Sequence, residues 1–246
     1  MENPFNLRVA VIIPAKNEAL ALPSVLSALP GWAAPVIVAD YNSTDGTGEI
    51  ALAQGATHLR VTRPGYGAAC LQALAILPPC DVVVFLDADA SDRPEDISRL
   101  LAPIADGRAD FVLGSRTLGP CERGALTIQQ RAGNWLACVL IRRLWGERFT
   151  DLGPFRAITA PALASLDMSD QNFGWTIEMQ IRAAKRGLRC REIPVTYRRR
   201  IGRSKVSGTV MGTIKASAKI LFVIGREALQ SVASLKTPPA SLARER

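Results

Sequence analysis

Two carboxylates close an apolar run: Val82-Val83-Val84-Phe85-Leu86 leads directly into Asp87-Ala88-Asp89, with Ser91 just beyond. In an extended chain, residues i and i+2 point to the same side, so Asp87 and Asp89 could aim oxygens at one cation. Neighbouring carboxylates repel, and a divalent ion such as Mg²⁺ or Mn²⁺ relieves that repulsion while bridging to substrate phosphates. A bare Asp-x-Asp also has a plainer reading, as capping or surface residues after a strand.

Other polar clusters fall at similar places. "PAKNE" (Pro14 to Glu18) follows one β-branched run, "DYNSTDGT" (Asp40 to Thr47) a second, and Arg116 of "GSR" a third. Gly65-Tyr66-Gly67 opens a helical pattern whose first N–H groups could face an anion. The basic run "YRRRIGRSK" follows a strand pattern, and its Gly and Ser suit a closing loop. It reads either as a diphosphate grip or as a solvated basic loop.

The elements that must position these groups alternate. The patterning predicts strands over residues 7–15, 34–41, 57–62, 81–90 and 109–116, with helices over 17–31, 43–55, 65–77 and 93–107. This order implies an α/β fold with a mostly parallel central sheet and helices on both faces. Ligands of such sheets bind at the carboxyl ends of the strands, where all four polar clusters fall. The second half predicts helices over 131–146 and 173–187 and strands over 155–159 and 190–200. A last helix over 208–229 places Val210, Ile214, Ala218, Leu221 and Ile224 near one face, with Lys215, Lys219 and Arg226 elsewhere. Residues 1–230 then form one domain, and 231–246 read as a disordered tail.

Composition narrows the chemistry. The 246 residues carry a net charge of +8, which favours polyanionic partners of any kind. Five scattered cysteines without a C-x-x-C pair argue against a disulfide framework or a zinc site. His58 is the one histidine, so carboxylates must carry any metal chemistry, and His58 itself reads as an ordinary strand-end residue. No secretory pattern is expected at the N-terminus, and the apolar runs fall short of the roughly 20 residues of a spanning helix, so a cytoplasmic location is expected.

Taken in order, "VIIPAKNE", "VADYNSTDGT", "GYGAA", "FLDADASDRPEDI", "GSR", "FGWTIEM" and "RRIGRSK" resemble a family 2 glycosyltransferase of GT-A, Rossmann-like fold. The resemblance runs from about Val9 to Lys205 and is nearest to the dolichyl-phosphate and polyprenyl-phosphate mannosyl- and glucosyltransferases. It implies a nucleotide-sugar donor, a divalent metal (Mg²⁺ or Mn²⁺) and inversion at the anomeric carbon. By the same resemblance Pro14, Lys16 and Glu18 line the nucleotide pocket and Asp40 contacts the base or ribose. Asp87, Ala88 and Asp89 would sit at the metal and diphosphate, with Ser91 just beyond, Arg116 reaching the donor, and Arg199 and Lys205 gripping the diphosphate. Asp40-Tyr41-Asn42 replaces the usual Asp-Asp-Gly, and Ser91 replaces a longer polar residue, which leaves the base preference open.

The acceptor is a separate question. A hydroxyl acceptor needs a general base, for which Asp151 or Glu178 could serve. A phosphate acceptor is already an anion and needs cations instead, which Arg131 and Arg156 could supply. Plainer roles exist for each: a turn former for Asp151, a helix-dipole residue for Glu178, and ion pairing for the two arginines. Trp135 and Trp175 read as core fillers. The Gln-x-x-Arg-Trp signature of processive polysaccharide synthases does not occur, so single-sugar transfer to a polyprenyl phosphate is the expected activity. A soluble acceptor and a nucleotidyltransferase are the alternatives, while a nucleic-acid partner is not expected. The last helix either packs on the core or lies peripherally on the inner membrane face with its lysines and Arg226 near lipid phosphates.

Overall fold

The computed structural model describes residues 3–202 and 210–236, with side chains described over 3–202 and 218–231. Seven strands form one sheet in the order β3-β2-β1-β4-β6-β5-β7. They are β1 (Val9–Ala15), β2 (Val36–Asp40), β3 (Thr57–Arg60), β4 (Val82–Phe85), β5 (Phe111–Ser115), β6 (Arg156–Thr159) and β7 (Cys190–Pro194). Every pairing is parallel except those of β6, which runs antiparallel to both β4 and β5. This matches the expected mostly parallel sheet. Because β6 is reversed, its first residue, Arg156, pairs with Phe85 at the carboxyl edge of β4. The segment leading into β6 therefore reaches the same edge as the loops after β1, β2, β4 and β5.

Alternate strand residues feed two buried layers, as a two-residue period requires. Val11, Ile13, Val38, Val82, Val84 and Val112 pack with α1 (Leu22–Ser27), α2 (Thr47–Ala53) and α4 (Ile97–Ala105). Ile12, Ile37, Val83, Phe85, Phe111 and Ile158 pack with α3 (Tyr66–Ala75), α5 (Ile128–Trp145), α6 (Ala160–Leu166), α7 (Trp175–Lys185) and α8 (Val210–Lys236). Trp175 fills this second layer as expected, its ring edge-on to Phe85 at 5.9 Å between centroids. Trp135 does not, and lies 66% exposed on α5.

Several bounds differ from expectation. The first helix shrinks to α1 because residues 16–21 turn through a loop at the sheet edge, with Asn17 at φ 51°. β7 stops at Pro194, which cannot donate to a ladder. The short α6, not expected from the pattern, begins at Ala160 with Pro161 in its first turn and Thr159 as its cap. α8 extends to Lys236, past the expected end, and packs against α5 and α7. Among its described side chains Val223, Ile224 and Glu227 are buried, whereas Leu221, expected near one face with Ile224, is exposed.

Two glycines set how closely the site loops approach. Gly65 has φ 126°, open to glycine alone, and a Cβ on Gly67 would overlap the Asp170 carbonyl oxygen. Gly67→Ala is therefore expected to destabilise the fold by about 1–3 kcal/mol, as overpacking against backbone does. Chemical denaturation of the variant beside the wild type checks this.

Candidate active site

The site is built on the carboxyl edge around β1, β4 and β5. β4 ends at Phe85, so the extended geometry assumed for Asp87 and Asp89 stops before either residue. The chain turns instead, with Ala90 at φ 60°, and Ser91 folds back so that its N–H and hydroxyl both donate to Asp89 Oδ1, at 2.9 and 2.5 Å. The other oxygen, Oδ2, lies 2.8 Å from Arg200 Nη2. The same guanidinium nitrogen lies 3.6 Å from Glu18 Oε1, so Arg200 joins the β1 and β4 loops. The loop after β7 is laced to the β4 loop by Arg198 N–H to the Ser91 carbonyl and Ile201 N–H to the Asp89 carbonyl.

Asp87 is in a different state. Its Oδ1 is buried with no hydrogen-bond partner among the described residues. Burial, then repulsion from Asp89, pushes its carboxyl up to about 7, while Tyr66, Arg200 and Arg116 pull the other way. A buried, unpartnered oxygen beside a carboxylate that already attracts a cation is a hard, all-oxygen donor set suited to Mg²⁺ or Mn²⁺. Among the described residues no group of three or more His, Cys, Asp or Glu forms a metal cage.

The β1 and β2 loops form the flank next to this pair. Asn17 N–H donates to Ser43 Oγ and Glu18 N–H to Thr47 Oγ1, which latches one loop to the other. Asp40 accepts from Ser43 N–H and lies 3.1 Å from His58 Nε2. His58 is thus a partner of a site carboxylate, a role that its sequence context did not reveal. Gly48 makes room, since a Cβ there would strike the imidazole. Lys16 is exposed with Nζ 4.6 Å from the Tyr41 ring centroid, and Pro14 is half-buried in β1.

On the opposite flank, Arg116 donates to Asp151 through its backbone N–H and through its guanidinium Nε and Nη2, at 2.7–2.8 Å. Burial opposes the charge on Arg116, but Asp151 holds it above its ordinary range. Asp151 is fully buried, and both its oxygens are engaged by Arg116, so it is not a free base. Glu178 is also fully buried: it accepts from Ser169 N–H and Oγ and from Asp170 N–H, and pairs with Arg182 and Arg226. Neither expected general base is available in this arrangement. Arg156 does not face the site either. It is buried, donates to the Thr176, Leu152 and Gly153 carbonyls, and is pulled down to about 10 by burial.

Two further expectations change with the geometry. The first N–H groups of α3 do not await an anion, because Gly67 and Ala68 N–H donate to the Asn172 and Gln171 carbonyls. Arg199 points away from Asp89, bonding Glu122 and the Arg123 carbonyl, and its neighbour Arg200 enters the site. Of the two readings given for the last helix, Lys219 and Arg226 follow the core-packed one, turning inward to Asp170 and Glu178. Arg131 stands exposed on α5, Nη2 3.7 Å from Cys121 Sγ. Lys205 and the side chain of Lys215 lie outside the described residues. Asp92 was missed: it is 3% exposed, both oxygens lack a partner among the described residues, and burial with Asp87 nearby holds it well above the usual carboxylate range. Its sequence signal was a third acid, close behind the Asp-x-Asp pair.

Residues 10–161 match the family described as Glycosyl transferase family 2, and the chain belongs to that family. It is a glycosyltransferase. It is 36% identical over 210 residues to an uncharacterized glycosyltransferase of Mycobacterium tuberculosis, covering 85% of this chain and 94% of that one. It is 33% identical over 222 residues to the undecaprenyl-phosphate mannosyltransferase of Micrococcus luteus, covering 84% and 90%. Among solved structures, glucosyl-3-phosphoglycerate synthase from Mycobacterium tuberculosis, in complex with Mn²⁺, UDP and phosphoglyceric acid, superposes with a TM-score of 0.74 at 22% identity, over 91% of this chain and 79% of that one. The expected GT-A fold is thereby shown.

Two outcomes test this description. Glu178→Gln strands two cations, and removing one partner of a buried pair costs about 3–5 kcal/mol; a large fall in thermal stability with kcat little changed below the transition is expected. For Asp87, ionisation must precede metal binding, so Mn²⁺ affinity measured by calorimetry is expected to rise about tenfold per pH unit below 7 and to level off above it.

Proposed function

We propose that this chain moves one sugar from a nucleotide-sugar donor to a polyprenyl phosphate, with inversion, at the cytoplasmic face of a membrane. The observation that carries the reading is that both candidate general bases are consumed by cations: Asp151 by Arg116, and Glu178 by Arg182 and Arg226. A hydroxyl acceptor needs a base to take its proton, whereas a phosphate oxygen is already a nucleophile. The likeness to the Micrococcus mannosyltransferase supports the same acceptor class. Among the described residues no helix is long and apolar enough to cross a membrane, so the reading takes membrane contact to be peripheral.

In this reading Asp87 and Asp89 would hold Mg²⁺ or Mn²⁺ beside the donor diphosphate. When bound, the ion neutralises charge on the departing diphosphate. The acceptor oxygen attacks the anomeric carbon as the sugar–diphosphate bond breaks, and the bond's electrons leave with the nucleoside diphosphate. Arg200, beside Asp89, and Lys205 offset that charge in the same way. Glu18, Lys16, Pro14 and Asp40 border the nucleotide, with His58 fixing the Asp40 carboxylate. Arg116 is held rigidly by Asp151 at the donor side, and Arg131 supplies an exposed cation for the incoming phosphate.

A radiolabelled panel of GDP-mannose and UDP-glucose with polyprenyl phosphate and Mn²⁺, followed by solvent partitioning, tests the proposal. Label is expected in the organic phase, and Asp89→Ala is expected to lower transfer by at least about 10²-fold, the scale of losing electrostatic stabilisation of a leaving group. Label confined to water-soluble products would instead favour an acceptor such as a sugar phosphate or glycerate.

A further inference from the structure

We infer that the outward faces of α5 and α8 together form a docking surface for an anionic lipid bilayer. The inference rests on the polyprenyl-phosphate reading but is carried by separate observations. α5 buries Ala137, Cys138 and Ile141 in the same layer that takes Val223 and Ile224 of α8, and the two helices pack on each other. Their opposite faces therefore look outward on the same side of the molecule.

The α8 face is apolar, and the α5 face sets large apolar side chains among arginines. On α8 the exposed residues Ala218, Phe222, Gly225 and Leu229 recur at helical spacing, with Phe222 62% and Leu229 74% exposed. On α5, Ile128 and Trp135 are two turns apart and 82% and 66% exposed. An apolar stripe on α8 beside large exposed apolar side chains of α5 marks an interaction site.

Charge selects the occupant. α5 carries Arg131, Arg142 and Arg143, all exposed, and contains no Asp or Glu. The single carboxylate of α8, Glu227, is 1% exposed and tied to Arg182, Lys185 and Arg226. Apolar side chains bordered by arginines, without surface carboxylates on either helix, match a bilayer whose headgroups are anionic. The arginine stems cover apolar surface while their heads stay at the phosphate level.

The surface is also joined to the site. Asn134 of α5 bonds the Thr150 carbonyl and Leu152 N–H, on either side of the Asp151 that holds Arg116. Lys219 of α8 pairs with Asp170 at 2.7 Å, and the Asp170–Asn172 loop packs on Gly65 and Gly67 at the entrance to α3. A bilayer against α5 and α8 would present lipid-anchored phosphates beside Arg131 and the donor edge.

Flotation of the full chain with phosphatidylglycerol–phosphatidylcholine vesicles tests the inference, with pure phosphatidylcholine and raised salt as controls. Binding is expected on the anionic vesicles, weakening with salt, together with a blue shift in tryptophan emission that Trp135→Phe removes. Trp135→Glu with Phe222→Glu is expected to reduce vesicle binding at least about tenfold, the scale of one lost apolar side chain. The same variant should keep the wild-type thermal midpoint and its transfer to a short, water-soluble prenyl phosphate. Should the glutamate variant misfold, Arg142→Gln with Arg143→Gln gives a second reading, again with weaker binding expected. Wild-type protein that ignores anionic vesicles, variants that bind as well as wild type, or a wild-type dimer that the glutamate variant converts to monomer would each overturn the inference. Failure of transfer to the short prenyl phosphate by wild type would count against the acceptor reading alone, since docking is read from vesicle binding.

Discussion

The energetic problem at the centre of this protein is a pair of acidic side chains set just past the end of a buried strand. Asp87 and Asp89 repel each other where little water is available to screen them, and the folded chain manages this by treating them differently. Asp89 stays satisfied through Ser91 on one oxygen and Arg200 on the other. Asp87 carries the penalty, with an unpartnered oxygen and a carboxyl pushed up to about 7. Arg200 also reaches Glu18, so the cation that offsets the repulsion ties the β7 loop to both β1 and β4.

The same device recurs at longer range. Arg116 and Asp151 form a fork-shaped pair that fixes the β5 loop to the segment entering β6. Glu178 gathers the 169–170 backbone, Arg182 and Arg226, so α7 and α8 are joined through one buried carboxylate. Buried ion pairs of this kind add little net stability, because desolvation offsets the attraction, but each becomes costly once one partner is removed. What they contribute here is placement: each sits beside a loop at the carboxyl edge of the sheet. That explains why carboxylates with the look of general bases act instead as clamps.

Much of this was legible in the chain itself, for physical reasons that can be named. The runs Val9 to Ile13, Val36 to Ala39 and Val82 to Phe85 are continuously apolar because parallel strands are buried on both faces, and they announced the sheet. The Asp-x-Asp pair stood out as a candidate site because acids directly after such a strand need a partner. Other features were not legible. Choosing Arg199 over Arg200 was a one-residue error of direction, since an irregular loop has no period from which to tell inside from outside. The outward stripe of α8 was left open because its period fixes only that two faces differ, and either could meet the core. His58 and Asp92 acquire their roles from residues far off in sequence or from burial alone.

The sequence by itself determined the alternation of strands and helices, the edge on which polar residues gather, and the family, because each of these is written in local composition and order. Only the tertiary structure decided which charges meet. Asp151 and Arg116 are 35 residues apart, and Glu178 and Arg226 are 48 apart, so no local pattern could pair them. Whether a carboxylate is a base or a clamp depends on the cation that reaches it. That is settled by how the reversed strand β6 and the last helix fold back onto the sheet.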